Sequence, residues 1–162
     1  MPEIVVINHQ PSPVYYGRKQ VSLSINPSAI SVGLVANPVS ARDIRRVIAN
    51  ATSLQVSDRA NIVMRVLAAM RACGVQRVLM MPENGGIRSL LKRGLQREKQ
   101  LGDNRFPELE MTDTQISGTV DDTFAATQAM VDSGVKAIVV LGGDGTHRAV
   151  TKVCGQVPIA GI

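Results

Sequence analysis

VKAIVVLGGDGTHRAV, residues 135 to 150, decides the fold. Val135 to Leu141 is apolar enough for a strand buried on both faces, as strands of parallel sheets are. Gly142, Gly143 and Gly145 then mark a turn, and Arg148 to Val153 reads as a short helix leading to a last strand, Val157 to Ile162. A buried strand, a glycine turn and a helix form one unit of an α/β fold.

The pattern repeats outward from this unit. From residue 32, apolar runs of strand length alternate with helical periods, which predicts an open, mostly parallel sheet flanked by helices. Ser31 to Asn37 reads as a strand that stops at Pro38. Residues 41 to 50 look helical; Ser57 or Asp58 can cap a second helix with Ile62, Val63, Val66, Leu67 and Met70 on one face, ended by Gly74. Val75 to Met81 is the next strand, followed by the turn Pro82 to Gly86 and a helix that buries Ile87, Leu90, Leu91 and Leu95. Leu101 to Pro107 reads as a loop and Glu108 to Thr112 as a short strand. Thr119 and Asp122 fit a capping box for a helix whose Val120, Phe124 and Val131 face inward. Residues 1 to 30 read as an irregular arm with a possible strand at Ile4 to Ile7, and residues 31 to 162 as one nucleotide-binding domain.

Composition narrows the function classes. The 162 residues, 44% hydrophobic and 19% charged, suit a globular domain with a sizeable core. No apolar run reaches the roughly 18 residues of a membrane span and the N-terminus lacks a signal-peptide pattern, so a cytoplasmic protein without a membrane partner is expected. The net charge of +5 favours anionic partners. Nucleic acid ranks low, because two tyrosines and two phenylalanines without tryptophan give no stacking platform among basic residues. Arg88, Lys92, Arg93, Arg97 and Lys99 read as a solvated helix face, with a phosphate or partner contact as the alternative. Cys73 and Cys154, each before a glycine, read as packing residues.

Strand-to-helix turns of a parallel sheet share one rim, where ligands bind. Three are chemically marked: Asn37-Pro38-Val39-Ser40, Glu83-Asn84-Gly85-Gly86 and Gly142-Gly143-Asp144-Gly145-Thr146. In the third, glycines permit positive φ and let N–H groups line an anion-binding concavity, to which the helix dipole adds. Asp144 would repel phosphate there, so its chemical use is to hold Mg²⁺ or to accept a proton from a hydroxyl attacking phosphorus. Alternatively it caps the helix in an ordinary Asp-Gly turn. Thr146 can bind phosphate or serve as the cap. Asn37 and Ser40 can offer an amide and a hydroxyl to phosphate oxygens, or simply end the strand. His147 and His9 read as surface residues.

Ile138 to Thr146 resembles the GGDGT motif of the ATP-NAD kinase family, Val157 to Ile162 its following strand, and Gly33 to Pro38 its first strand and turn. The resemblance covers residues 32 to 162 and is closest to the branch associated with acetoin catabolism. It implies a Rossmann-like N-terminal domain, shared with the diacylglycerol kinase relatives. It further implies transfer of phosphate from ATP, with Mg²⁺, to a ribose hydroxyl of NAD, giving NADP. Carried over, Asp144 is the catalytic base or orienting group, holding Mg²⁺ being the other use open to the same carboxylate. Gly142, Gly143, Gly145 and Thr146 form the nucleotide cradle, with Asn37 and Ser40 near the phosphates. Ala41 stands where lipid-kinase relatives have glycine after Asn-Pro-x-Ser. The family's C-terminal β-rich domain, which supplies a dinucleotide motif and much of an oligomer interface, has no counterpart before Ile162. The expectation is therefore an N-terminal domain that binds nucleotide weakly and catalyses poorly alone, and a homo-oligomer at full length. A nucleotide-binding accessory protein and a lipid kinase are the competing readings.

Overall fold

The computed structural model describes residues 30–37, 55–102 and 104–162. The expected strand at Ile4 to Ile7, the helix at 41 to 50 and Ser40 lie outside the described residues.

Five strands form one parallel sheet: β1 (Ser31–Ala36), β2 (Arg77–Met80), β3 (Glu108–Met111), β4 (Ile138–Leu141) and β5 (Ile159–Gly161), in the order β3-β2-β1-β4-β5. Four described helices connect them: α1 (Val56–Ala72), α2 (Ile87–Gln100), α3 (Val120–Asp132) and α4 (Asp144–Val153). The sheet grows from β1 first toward β3 and then, after α3, toward β5. All six β1 residues are buried, as the central strand between two layers requires.

The pleat sends alternate β1 residues to opposite cores. Val32, Leu34 and Ala36 pack with Val63, Leu67 and Met70 of α1 and Ile87 and Leu91 of α2. Val35 packs with Ala126 and Met130 of α3 and Val150 of α4. Gly33, facing the second layer, admits α3 closely: a Cβ there would lie 2.7 Å from the Met130 sulfur. At the β3 edge, Arg77 Nε and one terminal nitrogen donate to Glu110 Oε2 at 3.0 and 2.7 Å, pinning β3 to β2.

Several boundaries differ from the sequence reading. α1 starts at Val56, with Gln55 as N-cap and Asp58 reaching back to accept the Gln55 N–H at 3.3 Å, so neither Ser57 nor Asp58 is the cap. Val120 is exposed, and the inner stripe of α3 is Thr123, Ala126, Thr127 and Met130. Thr127 enters that stripe because its hydroxyl donates to the Thr123 carbonyl at 2.7 Å, which removes the cost of burying it. Phe124 and Val131 are half-buried flanks. Thr119 does cap α3 by accepting the Asp121 N–H. Asp122 reaches past it to take the Ser117 hydroxyl, Ser117 N–H and Gly118 N–H at 2.6, 2.7 and 2.8 Å. Leu90 and Leu95 are half-buried. Cys154 is buried, whereas Cys73 is exposed at the end of α1 and makes no core packing.

Candidate nucleotide site

The direction of strand addition reverses at β1, so the crevice beyond β1 and β4 is the sheet's switch point, where ligands of open α/β sheets bind. Ala36 pairs with Leu141, which sets Asn37 beside Gly142 just past the strand ends. The Asn37 N–H donates to the Leu141 carbonyl at 3.1 Å, and the Asn37 side-chain amide donates to Thr146 Oγ1 at 3.3 Å. Two of the marked turns are thus clipped together across the switch point.

The glycine turn is shorter than expected. α4 begins at Asp144 rather than Arg148, so only Gly142 and Gly143 separate it from β4. Gly142, Gly143 and Gly145 all lie outside the positive-φ region, and Gly143, the N-cap, has φ −83°. Their conformational freedom is therefore not what the turn uses. Gly142 is needed for space, because a Cβ would fall 2.7–2.9 Å from Thr146 side-chain atoms. Gly145 faces open space, with nothing within 4 Å of a Cβ position.

Asp144 occupies the first helical position and is exposed; Gly143, not Asp144 or Thr146, is the cap. A carboxylate there is favoured by the helix dipole by about 0.3–1 kcal/mol. The Gly143 carbonyl accepts the Thr146 and His147 N–H groups at 2.9 and 3.1 Å. The N–H groups of Asp144 and Gly145 precede the first helical bond and have no acceptor within the helix, which leaves them for an anion. Thr146 is buried, its hydroxyl taken up by Asn37. Thr146 and Asn37 are accordingly struts of the cradle more than its lining. His147 is half-buried: its Nδ1 lies 3.1 Å from the Gly143 carbonyl, and its Nε2 would lie 2.6 Å from a Cβ on Gly161. The glycine in β5 makes room for that ring.

Two residues without a role in the sequence reading belong to this rim. Arg59, 5% exposed on the first turns of α1, donates to the Asn37 carbonyl at 2.7 Å. A charged residue four positions before Val63, on the helix's inward stripe, was its sequence signal. Glu83, 6% exposed in the turn after β2, accepts the Arg88 N–H through Oε1 at 2.5 Å, while its Oε2 is buried without a hydrogen-bond partner. The helix that follows that turn packs on α1, its Ile87 and Leu91 sharing a core with Val63 and Leu67.

Among the described residues, no group of three or more His, Cys, Asp or Glu could enclose a metal. A single exposed carboxylate beside backbone N–H groups able to take a phosphate has the chemistry Mg²⁺ uses, since that ion usually takes one or two carboxylates, substrate phosphates and waters. No helix among the described residues is long and apolar enough to cross a membrane.

Residues 32–162 match the family model described as the ATP-NAD kinase N-terminal domain. The chain is also 59% identical over 131 residues to a Cupriavidus necator protein named acetoin catabolism protein X, an alignment covering 81% of this chain and 36% of that protein. The chain thus spans about a third of the length of that curated relative. No solved structure matches.

Proposed function

The chain belongs to the ATP-NAD kinase family, and from that premise we propose that it is the phosphate-binding half of a kinase that transfers the γ-phosphoryl group of ATP to a ribose hydroxyl of NAD. The observation that carries this reading is the switch-point geometry. Asn37 and Thr146 lock the ends of β1 and β4 together, leaving the Asp144 and Gly145 N–H groups and the Asp144 carboxylate on the open rim.

The N–H groups and helix dipole of α4 hold phosphate oxygens, and Gly145 lets them approach the backbone. Asp144 accepts the proton of the attacking ribose hydroxyl. The hydroxyl oxygen forms the new P–O bond as the bond to the bridging oxygen breaks, and ADP leaves. Mg²⁺, held by Asp144 and the phosphates, would neutralise phosphate charge. Positioning and charge stabilisation dominate such a transfer, so one wall of a cleft gives weak binding and poor turnover. The family relationship supports a second domain, and an oligomer, in the whole protein. The similarity to acetoin catabolism protein X supports a place in acetoin metabolism.

Titration of the chain with NAD and Mg-ATP, followed by amide chemical shifts, tests the reading. Saturable shifts that include residues 142 to 146 are expected. In the whole protein, Asp144→Asn keeps the shape but cannot take the proton, and should lower NAD phosphorylation by about 10²–10⁴-fold. A fully active Asn variant removes Asp144 from the chemistry. Nucleotide binding without phosphorylated product indicates an accessory protein instead.

A further inference from the structure

Glu83 is the one buried side chain among the described residues with an unpartnered polar atom. Leaving a buried acceptor unsatisfied is costly, more so for a carboxylate, and native structures seldom tolerate it without a reason. The residue's local duty explains only half of it: Oε1 takes the Arg88 N–H in the first turn of α2, where the cap residue Gly86 has no side chain to do so. That bond fixes the carboxylate and commits one oxygen. Oε2 is left needing a donor.

The position of Glu83 narrows the donor. It follows β2, on the same carboxyl rim as Asn37 after β1 and Gly142 after β4. With strands about 4.8 Å apart, β2 and β4 are separated by about 10 Å. A phosphate at the α4 N-terminus is therefore roughly a Debye length from Glu83, too far to be its ligand and far enough to limit repulsion. A lone carboxylate is also a poor cation site, and no other His, Cys, Asp or Glu joins it in a metal-binding group among the described residues. Neutral hydroxyls remain, at the distance where the sugar of a phosphate-anchored nucleotide lies. In dinucleotide-binding sheets, where the phosphate turn follows the first strand, an acidic side chain about 20 residues on takes a ribose hydroxyl.

We propose that Glu83 is the ribose-recognition residue of the site, its Oε2 accepting hydrogen bonds from the vicinal hydroxyls of a nucleotide anchored at the α4 turn. The proposal rests on the nucleotide reading above. Asn84 and Gly85, which follow Glu83 in the turn, are exposed, so the turn that carries the carboxylate borders solvent.

The test compares ATP with 2′,3′-dideoxy-ATP by calorimetry, on the chain and on Glu83→Gln. Glutamine keeps an acceptor for the Arg88 N–H but replaces the second oxygen with a donor group. The unsubstituted chain should bind ATP at least about tenfold more tightly than the dideoxy analogue, the worth of hydrogen bonds to a charged group. Glu83→Gln should lose most of that difference, by weakening ATP rather than strengthening the analogue. Equal binding of the two nucleotides by the unsubstituted chain overturns the assignment and leaves the phosphate cradle standing. So does a preference that survives in Glu83→Gln. Weaker binding of inosine triphosphate with no loss on dideoxy-ATP assigns the acceptor to the base amine and likewise overturns it. Failure of both nucleotides to bind at millimolar concentration overturns the nucleotide reading itself.

Discussion

Gly142 and Gly145 stand three residues apart in one motif, yet the structure gives them opposite reasons for being glycine. A Cβ on Gly142 would approach Thr146 Cβ to 2.7 Å and Thr146 Cγ2 to 2.9 Å, against an optimum of about 3.5–4.0 Å between carbons. Thr146 cannot turn away freely, because it is buried in a helix, β-branched and bonded to Asn37. Overpacking costs about 1–3 kcal/mol and loss of the Asn37 bond about 0.5–1.5 kcal/mol, so Gly142→Ala should destabilise by about 2–4 kcal/mol. For a domain of this size that lowers Tm by roughly 5–15 °C. Gly145→Ala meets nothing within 4 Å and lies on a helix, where alanine is favoured over glycine by up to about 1 kcal/mol. It should leave stability unchanged or raise it, while weakening nucleotide binding if phosphate oxygens rest on that backbone. Urea unfolding gives the stabilities and titration with Mg-ATP the affinities. A Gly142→Ala chain as stable as the parent would refute the steric argument. A Gly145→Ala chain destabilised by more than about 1 kcal/mol would refute the claim that the fold leaves that position open.

Two further outcomes follow from the rim and the α3 cap. The Ser117 hydroxyl, then the Ser117 N–H, hold the Asp122 carboxyl below its ordinary 3.8 against the opposing effect of burial, with the Gly118 N–H adding a lesser share. A lowered folded value means stability present above pH 3.8 and lost as pH falls through the folded value, so Asp122→Asn should lower the urea midpoint at neutral pH and converge with the parent in acid below 3.8. Arg59→Met removes the donor to the Asn37 carbonyl and should cost about 2 kcal/mol, with amide shifts at Asn37 and Thr146 reporting movement of the clip. Unchanged shifts there would separate Arg59 from the site.

The elements that period and glycine punctuation reveal are the ones local chemistry decides. β1 and β4 stand out because strands buried on both faces must be continuously apolar, and Gly74 and Gly134 end their helices with φ of +88° and +72°. The start of α4 did not, because helix geometry can begin on Asp-Gly-Thr only when the preceding glycine leaves Thr146 room beneath the turn, a three-dimensional fact. The GGDGT stretch marked the site, but the partners that stiffen it come from elsewhere. Arg59 reaches Asn37 from a helix whose charged residues mostly face water, and the orphaned oxygen of Glu83 becomes visible only once its burial is known. The buried Thr127 of α3 was unreadable for the same reason: its satisfaction by the preceding turn is invisible in a polarity pattern.

The hydrogen bond from Asn37 to Thr146 spans 109 positions of sequence. Loop-closure entropy weighs against so distant a pairing until other contacts hold the two strands near each other. The cradle is consequently complete only in forms of the chain where the ends of both β1 and β4 are in place. A nucleotide that binds it acts as a selective trap for the finished topology, and at a hundredfold excess over Kd adds about 2.7 kcal/mol to the survival of that topology against proteolysis and heat.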